Sequence, residues 1–205
     1  MAKALRTGFC VAALCAVLMP AGAAWAATAA IVCPEDASPL TAYAARELRR
    51  YVHACSGELL PITDKPRGHA LVLSTDDVGL GPQEYRLLTV KEGRWRRLLI
   101  SGGDETGLLY GVYRFAGRLG VRFHLHGDVL PDEKTPFAIP MLDETGKPLF
   151  HLRGIQPFHD FAEGPDWWSR ESWLATVAQL PKLGMNFVAL HTYPLAEPTV
   201  WVGTP

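Results

Sequence analysis

From Phe150 onward the chain alternates in a way that few folds accept. Phe150 to Phe158 reads as a buried strand, and the polar loop after it holds His159, Asp160, Glu163, Asp166 and the pair Trp167-Trp168. Ser169 then caps a helix carrying Trp173, Val177 and Leu180. Pro181 lacks the donor that would reach the carbonyl of Val177, so the helix ends nearby. Gly184 turns the chain into a second apolar strand, Met185 to Leu190, closed by His191. Strand, loop, helix, strand is a βα repeat, and in barrels built from such repeats the chemistry sits on loops that follow strands. A complete eight-fold barrel takes ~250 residues, so only about two units fit between Phe150 and Pro205. A lone parallel pair leaves open edges and uncovered apolar faces. The second module, residues 141–205, is therefore expected to be the beginning of a domain, and the chain a fragment or a prematurely ended reading frame.

Upstream, residues 27–140 read as a separate α+β module. Ala29 to Cys33 is a short apolar strand. Ser38 caps a first helix, Pro39 takes its first position, and Leu40, Ala44, Leu48, Tyr51, Val52 and Cys55 recur at helical spacing until Gly57 closes it in a left-handed conformation. Glu47, Arg49 and Arg50 are assigned to the wet face. Leu59 to Ile62 and Ala70 to Ser74 read as strands, and Tyr85–Val90 with Trp95–Ile100 as a hairpin around Lys91-Glu92-Gly93-Arg94. Asp104 caps a second helix with the stripe Leu108, Val112, Phe115 and Leu119, in which Gly107 and Gly111 form a flat, close-packing patch. Val121 to His126 is a last strand, and the Pro-marked run 131–140 reads as a linker. The expected architecture is a mostly antiparallel sheet with two helices on one face.

Residues 1–26 carry the marks of a signal peptide. Lys3 and Arg6 precede the apolar run Phe9 to Met19, and Ala24-Trp25-Ala26 fits a cleavage site before Ala27. The apolar run is too short to span a bilayer, and the residues before Cys15 do not fit a lipoprotein site. The expectation is a periplasmic or secreted protein, with no membrane contact after signal cleavage. Cys33 and Cys55 remain in the mature chain. They flank a helix of about fifteen residues, hence roughly 20 Å apart, against the roughly 6 Å Cα separation of a disulfide, so two buried thiols are expected. Hydrophobic residues make up 48% of the chain, ample for a core, and a formal net charge of -1 gives no basic footprint for nucleic acid. No cofactor is implied, and nothing bears on oligomeric state.

Several motifs, in order, resemble the domain that precedes the barrel in glycoside hydrolases of the β-N-acetylhexosaminidase and xylan α-glucuronidase group. They are Ala44-Ala45-Arg46-Glu47-Leu48-Arg49-Arg50-Tyr51, Ser56-Gly57-Glu58-Leu59-Leu60-Pro61-Ile62, Gly103-Asp104-Glu105-Thr106-Gly107-Leu108-Leu109-Tyr110-Gly111 and Leu119-Gly120-Val121-Arg122-Phe123. Arg153-Gly154-Ile155 then resembles the Arg-Gly that opens the first barrel strand in the hexosaminidase-like group. The resemblance implies a zincin-like α+β accessory domain followed by the first βα units of a (β/α)8 TIM barrel, acting on a carbohydrate substrate. Zincin-like describes shape alone, since the chain has no His-Glu-x-x-His. The acidic residues such enzymes use lie on later barrel strands, so no catalytic residue is assigned. The Asp that hexosaminidases carry soon after Arg-Gly is replaced by Gln156-Pro157-Phe158-His159-Asp160, which sets amino-sugar specificity in question.

The candidate substrate-binding residues are Arg153, His159, Asp160, Trp168 and His191. Arg153 could hold sugar hydroxyls with its planar fork or pair a carboxylate within the barrel mouth. His159 and Asp160 could line a pocket or brace their loop. Trp167 and Trp168 could stack on a pyranose or pack beneath the loop, and His191 closes the second strand at the expected mouth. Asp160, Glu163 and Asp166 lack the spacing of a calcium loop. His124 and His126 share one side of a strand but lack an evident third zinc ligand, and no metal site is assigned. The alternative to a hydrolase is a non-catalytic carbohydrate-binding or interaction module.

Overall fold

In the computed structural model the described residues are 29–75, 79–158 and 164–190. The first module is built on a six-stranded sheet. Its strands are β1 (Ala30–Val32), β2 (Ile62–Thr63), β3 (Ala70–Ser74), β4 (Tyr85–Glu92), β5 (Trp95–Gly102) and β8 (Asp143–Gly146), ordered β2-β1-β3-β5-β4-β8. Two helices cover it, α1 (Pro39–Ser56) and α2 (Glu105–Arg118). The short strands β6 (Arg122–His124) and β7 (Gly127–Val129) form a separate ribbon.

Local chemistry sets the helix ends. Ser38 Oγ accepts from the Thr41 amide at 3.2 Å, Pro39 opens the helix, and Gly57, at φ 83°, donates its N–H to the His53 carbonyl at 2.8 Å. Asp104 Oδ1 accepts from the Gly107 amide at 2.6 Å to start α2. Two of the three glycines of α2 let it settle on the hairpin. A Cβ on Gly107 would lie 2.2 Å from the Glu84 carbonyl oxygen, and one on Gly111 3.1 Å from Ile100 Cγ2. Leu48, Val52, Leu108, Val112 and Phe115 meet Ile31, Leu71, Leu87, Leu98 and Ile100 in one core. Cys33 and Cys55 are free, buried thiols, as the helix length requires, and burial pushes both above the ordinary thiol range.

The sheet is mixed, not mostly antiparallel. β1 runs parallel to both β2 and β3, and β3 parallel to β5, while β4 runs antiparallel to β5 and β8. The physical reason is α1, a crossover that returns the chain in the direction of β1 and makes β1-α1-β2 a parallel unit. Other expectations are corrected as well. The strand expected at Leu59 to Ile62 is shorter and later, and Val121 to His126 folds into the β6–β7 ribbon outside the main sheet. The segment 131–140 is no free linker: Phe137 and Ile139 enter the core, the Thr135 amide donates to the Cys55 carbonyl at 3.0 Å, and the Phe137 amide donates to Glu58 Oε1 at 2.8 Å. It straps the sheet and delivers β8 to its edge, beyond the expected boundary at residue 140. Glu47, expected in water, is buried. It accepts from Arg50 Nε at 2.8 Å and from the Tyr113 hydroxyl at 3.1 Å, which meets the requirement that a buried charge be paired.

In the second module β9 (Gly154–Ile155) and β10 (Phe187–Val188) pair in parallel, joined through α3 (Arg170–Gln179). Ser169 Oγ caps α3 through the Ser172 amide at 3.1 Å. The helix stops at Gln179, a 3-10 turn spans Pro181–Leu183, and Gly184 takes φ 72°. Both strands are much shorter than their apolar runs, because a ladder extends only as far as its partner. No residue of α3 is buried, and Leu174 and Val177 face outward. Among the described residues no helix is long and apolar enough to cross a membrane.

Candidate functional site

The Arg153-Gly154 pair fixes the first strand of the second module. A Cβ at Gly154 would fall 1.9 Å from the Phe187 carbonyl oxygen, so only glycine lets β10 approach. Asn186 closes the same junction. Its Oδ1 accepts from the Arg153 amide at 2.9 Å, its own amide donates to the Arg153 carbonyl at 2.7 Å, and its Nδ2 donates to the His151 carbonyl at 2.9 Å and to Gln83 Oε1 at 3.1 Å. Gln83 is buried and held at φ 64°, rare for a residue with a Cβ.

Arg153 itself braces the joint. Nε donates to the Gly184 carbonyl at 2.7 Å, Nη1 to the Phe150 carbonyl at 2.5 Å, and the guanidinium lies 5.4 Å from the ring centre of Tyr110 on α2. Among the described residues its partners are these carbonyls and the Tyr110 ring; Asp160 and Glu163, the acidic residues that follow it in sequence, lie outside them. Burial pushes the Tyr110 hydroxyl above the ordinary tyrosine range, with the charge of Arg153 pulling the other way. Trp168 packs edge-on against Trp173, ring centres 4.9 Å apart, while Trp167 is 73% exposed in the turn Pro165–Trp167. Of the two tryptophans, Trp167 therefore has the open ring. The parallel pairing sends the segments after β9 and β10 off the same edge. His159, Asp160 and His191, assigned to those segments by sequence, lie outside the described residues, as does Glu163. Asp166 is exposed in the Pro165–Trp167 turn.

A cleft of about 390 Å³ separates the modules, with Tyr85, Tyr110, Arg114, Lys147, Arg153 and Lys182 among its lining. Its cations are used internally. Arg114 and Arg118 both hold Glu144, and Lys147 meets Glu84 at 2.9 Å. Lys182 donates to both oxygens of Asp128 at 3.0 Å, with side chains only 7% and 14% exposed. The Tyr51 hydroxyl donates to Asp128 at 2.8 Å, and Arg50 stands 3.6 Å away. Burial opposes ionisation of Asp128, but the hydrogen bonds of Lys182 and Tyr51 outweigh it and hold the carboxyl below its ordinary range. Burial and the same bond push the Tyr51 hydroxyl up. Sequence reading missed this network, which joins α1, β7 and the turn after α3. No periodicity marks a single lysine between Pro181 and Leu183.

An ionised, fully partnered Asp128 is no general acid, and the described residues contain no carboxylate pair arranged across an open cleft. His124 and His126 stack with ring centres 5.3 Å apart, and among the described residues no group of three potential ligands forms around them or elsewhere. What the described part supplies is a frame: a docked βα unit whose strand-following segments leave from one edge.

No family model matches the sequence, and no curated protein matches it. Solved structures do match. The chain is similar to a family GH115 4-O-methyl-α-glucuronidase with specificity for decorated arabinogalactans, at 16% identity and a TM-score of 0.59, over 80% of this chain and 24% of that one. It is similar to a GH138 enzyme targeting pectin rhamnogalacturonan II at 14% identity and a TM-score of 0.52, over 79% of this chain and 18% of that one. A Streptomyces plicatus β-hexosaminidase with product GlcNAc aligns over 43% of this chain and 16% of that one, at 22% identity and a TM-score of 0.32. From the first two, the chain has a fold found in glycoside hydrolases, at low identity, and it spans about a quarter or less of the length of these proteins.

Proposed function

We propose that this chain is the accessory domain and first βα unit of an exported glycoside hydrolase that acts on a polysaccharide bearing acidic sugars. On this reading residues 27–140 form the zincin-like support and residues 141–205 open a (β/α)8 barrel. The observation that carries the reading is the fold shared with the GH115 glucuronidase over 80% of the chain, in which a parallel β9-α3-β10 unit is seated on the first module. His159, Asp160 and His191, which follow β9 and β10 in sequence, are the sugar contacts this reading assigns. Arg153 anchors the inner edge of the mouth, and Trp167 rather than Trp168 offers the stacking face. The acid that protonates the leaving oxygen and its partner group belong to later barrel strands.

The test uses the protein purified from its native source. Its intact mass is measured, and it is then assayed for sugar release from decorated arabinogalactan, rhamnogalacturonan II and β-N-acetylglucosaminides. The expected result is a mass above 22.5 kDa, sugar release from the first two substrates and none from the third. A mass matching residues 27–205, with no sugar released from any of them, would sink the proposal.

A further inference from the structure

A second cleft lies on the far side of α1 from the docked βα unit. Its volume is about 720 Å³, within the range of small-molecule and oligosaccharide clefts. The sequence of α1 shapes one wall. Ala42, Ala45, Arg46 and Arg49 recur at the i, i+3, i+4, i+7 spacing of a single helical stripe, so two small side chains open the floor and two guanidinium groups stand over it. The other wall is the segment after β2, which adds Asp64, Lys65 and Arg67, and Glu35, after β1, also lines the cleft, so its cations outnumber its carboxylates four to two. β1 and β2 are parallel, so both carboxyl ends open on this cleft, the edge of an α/β sheet where ligands bind.

The charges here differ from those of the cleft between the modules, where each lysine or arginine is held by the protein itself. Lys65 meets Asp64 at 3.7 Å. Arg46 lies 6.0 Å from the Tyr43 ring centre, and among the described residues neither it nor Arg49 nor Arg67 has a carboxylate partner. Three planar, permanently charged forks around one cleft, in a chain of net charge -1, match the bidentate geometry of carboxylates. No aromatic ring lines the cleft, which disfavours single-stranded nucleic acid, whose bases are held by stacking.

We infer that the groove between α1 and the β2–β3 segment is a second glycan-binding site, one that takes the carboxylates of a polyuronate chain and holds it apart from the barrel mouth. The choice of glycan as ligand class rests on the proposed function, but the site needs no catalysis. The full-length protein is run by affinity electrophoresis through native gels containing polygalacturonate, fully methyl-esterified polygalacturonate, or polyphosphate. The expected result is retardation by polygalacturonate alone, weakened about tenfold in the double variant Arg49→Ala/Arg67→Ala, weakened by salt, and unchanged in Arg170→Ala, which removes an exposed cation elsewhere. Arg49→Lys/Arg67→Lys, which keeps the charge and the fold, recovers only part of the binding because the forks are gone. Equal retardation by polyphosphate would mean a mere anion patch and overturn the inference, as would no retardation or equal loss in Arg170→Ala. A protein that hydrolyses its glycan but passes the polygalacturonate gel unretarded loses this inference alone. One retarded but inactive loses only the proposed activity.

Discussion

Replacing Lys182 by Met tests how the second module is held to the first. The methionine fills most of the volume but leaves Asp128 without its closest cation. Removing one member of a buried pair costs ~3–5 kcal/mol. Asp128 keeps the Tyr51 hydroxyl at 2.8 Å and Arg50 at 3.6 Å, so the low end applies, about 3 kcal/mol. With an m-value of ~2 kcal/mol/M, this lowers the urea midpoint by about 1.5 M. Hydrogen exchange should show the loss first in the amides of α3 and β10, which the turn carrying Lys182 ties down. Acid removes the same contribution. The carboxyl of Asp128 is depressed in the folded state, so its contribution is complete above the ordinary Asp value of about 3.9. It is lost as pH falls through the lower folded value. The stabilities of wild type and Lys182→Met should therefore converge below pH ~4, and Asp128→Asn/Lys182→Met should recover part of the loss at neutral pH. A midpoint shift under about 0.3 M at neutral pH, the effect of an exposed pair, would refute the assignment of Asp128–Lys182 as the joint.

Three further outcomes follow from single residues. Gly107→Ala drives a methyl into the Glu84 carbonyl at 2.2 Å and should cost about 2 kcal/mol by urea unfolding, whereas Gly117→Ala, on the same helix with open space around it, should gain ~0.5–1 kcal/mol. Tyr113→Phe removes the hydroxyl that donates to the buried Glu47 and should cost about 1–2 kcal/mol, measured the same way. Cys33 and Cys55, both buried with raised pKa values, should react with a thiol reagent at neutral pH only at the rate of unfolding and at once in urea.

The helix ends were legible because each depends on one side chain and its neighbours. Ser38, Pro39, Gly57, Asp104 and Ser169 all act where their chemistry places them. Gly107 and Gly111 were legible for the same reason, as a spacing on one helical face. Strand direction was not. β1 has three residues and β2 two, too few for a pattern, and their parallel course depends on where α1 returns the chain. Charge misled at Glu47, whose place in the core depends on Tyr113, a residue distant in sequence. Proline misled at 131–140, where the alternation of Phe137 and Ile139 was the available signal for a strap whose apolar side chains face the core.

At the candidate mouth the same division holds. Arg153-Gly154 was visible as a motif, yet its roles come from residues that no motif joins to it: the Phe187 backbone that excludes a Cβ, and the Gly184 and Phe150 carbonyls that hold the guanidinium. A guanidinium has five N–H donors in a rigid plane. Fixing one edge on backbone carbonyls and laying the face on Tyr110 restricts the side chain in advance, which lowers the ordering cost of any contact it makes. The bracing of Arg153 is thus compatible with the sugar contact proposed for it. The other polar groups at the joint, Asp128, Lys182 and Asn186, have their hydrogen bonds directed into the protein, and their work is to hold the β9–β10 unit on the first module.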